Sequence, residues 1–127
     1  RKELKLGTLT PIRDFNYVTD TARGMLALAL SDHSDGEVIN IGSGEEWSIQ
    51  QTVDLLVEIS GYEIEIITDE DRMRPEKSEV NRLLADNSKI IKLTDWKSEI
   101  SFHDGLASTY QWIEKNIHLF DIDKYAK

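Results

Sequence analysis

Glu37-Val38-Ile39-Asn40-Ile41-Gly42-Ser43-Gly44, followed closely by Ser48-Ile49-Gln50-Gln51, is the stretch on which the fold turns. Glu37 to Ile41 reads as a strand and Gly42-Ser43-Gly44 as a tight turn. Ser48-x-x-Gln51 has the form of a capping box, in which each side chain satisfies the other residue's backbone N–H. Ile49, Val53, Leu56 and Ile59 then supply the apolar stripe of a helix, and Gly61 stands where a left-handed C-terminal residue is wanted. Strand, turn and helix in that order make an α/β unit.

The same alternation continues on both sides. Glu3-Leu4-Lys5-Leu6 predicts a short strand, and Phe15, Tyr17 and Val18 predict another extended piece. Thr19 or Asp20 then caps a helix carrying Val18, Ala22, Met25, Leu26, Ala29 and Leu30, with one face buried. Downstream, Tyr62 to Ile67 alternates Ile64 and Ile66 with Glu63 and Glu65, a strand with one wet face near a sheet edge. Thr68 to Arg82 is polar, contains Pro75 and reads as a long functional loop. Asp86-Asn87-Ser88 starts a short helix through Leu93. Ser101-x-x-Asp104 opens another with Leu106, Tyr110, Ile113 and Ile117 on one side, and the tail from Leu119 frays. The result is an α/β chain with a small sheet and about four helices.

The 127 residues suit one domain, with no internal repeat and no linker. Hydrophobic residues are 39% and charged residues 31%, which argues against disorder, and Met25 to Leu30 is too short to span a bilayer. A net charge of −9 disfavours nucleic acid and anionic membrane as partners. The chain has no cysteine, which excludes disulfides and thiolate chemistry, and a cytoplasmic location fits. His33, His103 and His118 show no metal-ligand spacing, so no metal is expected. The chain begins at Arg1, which suggests lost upstream residues unless a tag or an initiator Met has been removed.

Against this acidic background two arginine-centred segments stand out, Arg13-Asp14-Phe15-Asn16-Tyr17-Val18 and Arg72-Met73-Arg74-Pro75-Glu76-Lys77-Ser78-Glu79-Val80. A guanidinium is a planar fork of donors matched to phosphate oxygens, and a nearby carboxylate can accept from sugar hydroxyls. Pro75 fixes the backbone next to Arg74 and lowers the entropy cost of ordering the loop on a ligand. Together they suggest a site for a nucleotide sugar. The bland alternative pairs Arg13 with Asp14 or Asp20 on a surface turn and lets Arg72, Lys77 and Arg82 neutralise Asp69, Glu70 and Asp71. Asn40 sits at the carboxyl end of the expected strand, where open α/β sheets place ligands, or is simply a turn residue. Gly42 and Gly44 lack the full dinucleotide fingerprint, and no Tyr-x-x-x-Lys pair is present.

The ordered set Arg13-Asp14-Phe15-x-Tyr17-Val18-x-Asp20, Val38 to Gly44, Arg74-Pro75 with Glu79-Val80, Asp86-x-Ser88-Lys89, Trp96 and Gly105-Leu106 resembles the carboxyl-terminal part of the NAD-dependent nucleotide-sugar epimerase/dehydratase family. That family belongs to the extended short-chain dehydrogenase/reductases. The Arg-Pro-Glu-Lys-Ser-Glu-Val run is most similar to 4,6-dehydratases of the UDP-N-acetylglucosamine type. Asp95, where a glycine is usual, and Ser98, where a proline is common, depart from the pattern.

The resemblance implies that residues 1–127 are one substrate-binding region of an extended Rossmann-type enzyme, with the amino-terminal NAD-binding part absent. Arg13 then matches the arginine that contacts the substrate diphosphate, and Asn40 a position lining the nucleotide-sugar pocket. Arg74 matches an arginine that meets phosphate or ribose, and Glu79 a carboxylate that accepts from ribose hydroxyls. The implied activity is that of a lyase in carbohydrate biosynthesis, forming a 4-keto-6-deoxy sugar nucleotide. A 4-epimerase portion and a stand-alone, non-catalytic nucleotide-sugar-binding module are the alternatives. Cofactor-binding and catalytic residues, including the tyrosine and lysine, would lie in the missing part, leaving this chain inactive alone. A homodimer is one assembly open to the intact enzyme. On this reading Leu4, Leu6 and the Ala22, Met25, Ala29 face are expected to be exposed.

Overall fold

Leu4 of β1 (Lys2–Leu6) lies opposite Ile66 of β4 (Ile64–Thr68), in a parallel two-stranded sheet whose register runs from Lys2↔Ile64 to Leu6↔Thr68. These strands belong to a computed structural model that describes residues 2–73 and 80–120. Leu4 and Ile64 turn toward α2 (Ile49–Ser60), where they line an apolar cleft of about 280 Å³ with Val53, Leu56, Val57 and Tyr110. The helix starts where its local chemistry dictates. Ser48 Oγ accepts from the Gln51 N–H at 3.0 Å while Gln51 Oε1 accepts from the Ser48 N–H at 2.8 Å. It stops at Gly61, whose φ of 66° is left-handed and which feeds the chain directly into β4.

The second sheet is made of two-residue strands in the order β3-β2-β5. β2 (Ile12–Arg13) is central, antiparallel to β3 (Trp47–Ser48) and parallel to β5 (Arg82–Leu83). α1 (Val18–Ala29), α3 (Ser88–Leu93) and α4 (Phe102–Lys115) complete the fold, with single 3-10 turns at Glu70–Arg72 and Ile117–Leu119. Ser101 caps α4, accepting from the Asp104 N–H. Phe102 at the start of α4 stacks on Trp47 and Phe15, with ring centroids 4.4 and 5.2 Å away, and so ties this helix to β3 and to the segment after β2.

Ile90, Trp96, Val53 and Phe102 are buried apolar side chains among the described residues. With them lies Asp20, whose carboxylate is wholly buried. Asp20 Oδ2 accepts from the Ser98 hydroxyl and from the Glu99 and Ile100 amides at 3.0–3.1 Å, and Oδ1 accepts from Arg23 at 2.6 Å. Trp96 Nε1 donates to the Asp20 carbonyl at 2.9 Å. The first turn of α1 is thereby clamped to the segment that leads into α4.

Several expectations need correction. Asp20 does not cap α1; Tyr17 occupies that position without a side-chain bond, and the donors around residues 98–100 draw Asp20 inward. The extended piece placed at Phe15 to Val18 is a strand at Ile12–Arg13 instead, and Val18 already belongs to the helix. Glu37 to Ile41 forms no ladder, because a strand needs a hydrogen-bonding neighbour and none of the described residues pairs with it; Val38 is 88% exposed. The buried side of α1 is Asp20 and Gly24, the latter close against Ile41 and Trp96, whereas Met25, Leu26 and Leu30 are exposed. Ala22 and Ala29 are exposed as well, as is Leu4, while Leu6 is half-buried.

Candidate functional site

β2 is the element that brings the two arginine-centred segments together. Its backbone is held from one side by Ile12 N–H to Asn81 O at 2.8 Å and Asp14 N–H to Leu83 O at 3.0 Å. With that register set, Arg13 Nη1 donates to the carbonyls of Val80 at 2.7 Å and of Ile12 at 2.8 Å. The Arg13 guanidinium is therefore fixed at the carboxyl end of the second segment. Arg74 and Glu79 of that segment lie outside the described residues.

Asp14, the next residue, points to the other side of the strand by the two-residue alternation of extended chain. Its Oδ1 accepts from the Ser43 N–H at 3.0 Å and from the Ser43 hydroxyl, and its Oδ2 from the Gly44 and Ala85 N–H groups at 3.0 and 3.3 Å. Asn87 Nδ2 adds a bond to the Gly42 carbonyl at 3.0 Å. Gly42 has no space for a side chain, since a Cβ would overlap that of Ala85 and lie 2.7 Å from Asp14 Oδ2. Three stretches remote in sequence thus meet on one carboxylate. In the sequence Asp14 is an ion-pair candidate for Arg13 and part of the family-like Arg13-Asp14-Phe15 run, and nothing local signals this role.

Asn40 is exposed, on the extended stretch before Gly42. That stretch is anchored at its other end by Lys89, which pairs with Glu37 and donates to the Val38 carbonyl at 3.2 Å. The hydrogen bond and charge of Lys89 hold the Glu37 carboxyl below its ordinary pKa. No described hydrogen bond joins Asn40 to Arg13. Arg72 pairs with Asp69 at 3.2 Å, as interleaved loop charges do, whereas Arg82 pairs with Glu46, outside the loop, and not with Asp69, Glu70 or Asp71. Beside β5 an open depression of about 540 Å³ is lined by Gly44, Arg82, Leu83, Ala85, Asp86 and Asn87. Among the described residues no group of His, Asp and Glu is arranged to hold a metal, and no helix is long and apolar enough to cross a membrane.

Residues 1–109 match the family model described as GDP-mannose 4,6 dehydratase. The chain is 37% identical over 111 residues to GDP-L-fucose synthase 1 of Arabidopsis thaliana, covering 87% of this chain and 32% of that protein. To the dTDP-glucose 4,6-dehydratase of an Actinoplanes species it is 35% identical over 108 residues, covering 83% and 32%. The structure of UDP-glucuronic acid 4-epimerase from Bacillus cereus, in complex with UDP-glucuronic acid and NAD, superposes with a TM-score of 0.78 at 33% identity, over 90% of this chain and 36% of that one. The chain spans about a third of the length of the curated relatives it matches.

The α/β arrangement and these likenesses define the class, the extended short-chain dehydrogenase/reductases. Within that class the chain belongs to the NAD-dependent nucleotide-sugar epimerase/dehydratase family.

Proposed function

We propose that this chain is the substrate-binding region of an NAD-dependent nucleotide-sugar 4,6-dehydratase, a cytoplasmic lyase that forms a 4-keto-6-deoxy sugar nucleotide. The observation that carries the reading is the Arg13 guanidinium docked on Val80, because it places the arginine of one segment at the end of the other. Arg13 takes the substrate diphosphate, Arg74 a phosphate or the ribose, Glu79 the ribose hydroxyls, and Asn40 lines the pocket. Charge-assisted bonds of this kind are about twice as strong as neutral ones and give orientation as well as affinity.

The Gly42-Ser43-Gly44 turn does not fit the diphosphate of NAD. A dinucleotide's diphosphate rests on free backbone N–H groups of a glycine-rich turn at a helix start. Here the N–H groups of Ser43 and Gly44 donate to Asp14. NAD, which supplies hydride acceptance and return in enzymes of this kind, belongs in this proposal to an amino-terminal part beyond the chain, with the catalytic groups. Residues 1–127 form one region on this view and are inactive alone.

The second reading is 4-epimerisation, favoured by the epimerase structure. Incubating the native protein with UDP-N-acetylglucosamine and NAD, then analysing the sugar nucleotide by mass spectrometry and NMR, separates the two. Loss of one water is the expected result. An unchanged mass with inversion at carbon four makes the enzyme an epimerase. An unchanged substrate, bound but not converted, leaves a binding module.

A further inference from the structure

We propose that Asp14 is the positioning residue of the nucleotide-sugar site, acting through Arg13; this rests on the function proposed above. Its carboxylate accepts four hydrogen bonds, from Ser43 (twice), Gly44 and Ala85. Both stretches that it holds bear directly on the site. Residues 42–44 follow Asn40, and Ala85 follows β5, the strand that carries the chain away from Val80.

β2 and β5 are each two residues long, and their ladder supplies few bonds to fix its own register. Strands this short are specified by what surrounds them. The Asp14 carboxylate pins Ala85 just beyond β5, and its own N–H holds the Leu83 carbonyl, so β5 is fastened to β2 on both sides of the backbone. Fixing β5 fixes Val80, and Val80 is where the Arg13 side chain docks. The other oxygen pins Ser43, which sets the end of the stretch bearing Asn40. The carboxylate therefore aligns Arg13 by fastening β5, on which its guanidinium depends.

Asparagine is the sharp probe, since it keeps the shape and offers one acceptor oxygen where the carboxylate offers two. Either the Ser43 donors or the Gly44 and Ala85 amides then lose their partner. The experiment is calorimetric titration of the native protein with UDP, for wild type, Asp14→Asn, Arg13→Ala and the double variant, at a temperature where all are folded. The expected result is about a tenfold weaker Kd for Asp14→Asn, with the double variant no weaker than Arg13→Ala alone, because both remove one interaction. Asp20→Asn serves as the control for general destabilisation, and its UDP affinity is unchanged. Where Asp14→Asn does not fold, Ser43→Ala removes only the hydroxyl donor, and weakening of about two- to fivefold is expected.

If Arg13→Ala weakens binding and the Asp14 and Ser43 variants do not, the positioning role is overturned and the site stands. Losses that multiply in the double variant also overturn it, since Asp14 would not then act through Arg13. If Arg13→Ala itself leaves UDP binding unchanged, the nucleotide-sugar reading fails and the proposal falls with it.

Discussion

Arg13 and Val80 are 67 positions apart in the chain, and the guanidinium of the first donates to the carbonyl of the second at 2.7 Å. This contact converts two separate sequence features into one place. It depends on β2 and β5 lying side by side, and that pairing is secured by Asp14 and the tight approach of Gly42 to Ala85.

Gly42→Ala tests that approach. The added methyl would overlap the Ala85 side chain and crowd Asp14 Oδ2, so one of the segments must move. The expected loss is about 1–3 kcal/mol of unfolding free energy in urea, the usual range for overpacking. A matched control is Gly36→Ala, where a Cβ meets nothing within 4 Å and only the positive φ of 74° opposes it; a loss of about 1–2 kcal/mol is expected there. UDP binding should suffer in the Gly42 variant alone.

Asp20→Ala leaves the Glu99 and Ile100 amides and the Ser98 hydroxyl without their acceptor, and leaves Arg23 with Glu99 as its ion-pair partner. A loss of about 2–4 kcal/mol is expected, from the donors left without an acceptor rather than from the half-exposed Arg23. Thermal or urea unfolding measures it directly.

The same residue sets an acid limb. Burial alone raises the Asp20 pKa, and hydrogen bonds from Arg23, Ile100, Glu99 and Ser98 together outweigh it, so the folded pKa is depressed. Its stabilisation is therefore complete above the unfolded value, about 3.9, and is lost as pH falls through the lower folded value. Glu37, Asp86 and Asp104 are shifted in the same direction and act in the same window. Unfolding followed from pH 5 downward should show stability falling in wild type and a shallower slope in Asp20→Asn, about 5 being where such losses begin.

Ser48→Ala removes the acceptor of the Gln51 N–H and the reciprocal half of the capping box. About 1 kcal/mol of stability should go, measured by urea unfolding. Ser48 also pairs with Ile12 across β2 and β3, so hydrogen exchange at the Ile49 amide, bonded to the Pro11 carbonyl, should quicken.

How much of this was legible in the sequence depended on the range of the forces involved. The Ser48–Gln51 box, Gly61, the Ser101 cap and the alternation of β1 and β4 are local signals, and each appears where its chemistry placed it. Asp20 resembles a cap because an acid near a helix start usually is one. Its actual donors lie 78–80 residues away, where no local pattern can announce them. Glu37 to Ile41 has the composition of a strand, but pairing is a property of two segments, and no described strand pairs with it. For the site, Arg13 stood out by its type in an acidic chain. Asp14 did not, since its importance arises only when Ser43, Gly44 and Ala85 are brought to it.

The most direct test of the central claim is calorimetric titration of the native protein with a UDP-sugar, comparing wild type with Arg13→Ala and Arg74→Ala. Saturable binding in wild type, weakened by about 1.5–3 kcal/mol in each variant, is the predicted result, the magnitude expected for a charge-assisted phosphate contact. Affinity that is the same in all three proteins, or no binding in wild type, would contradict it.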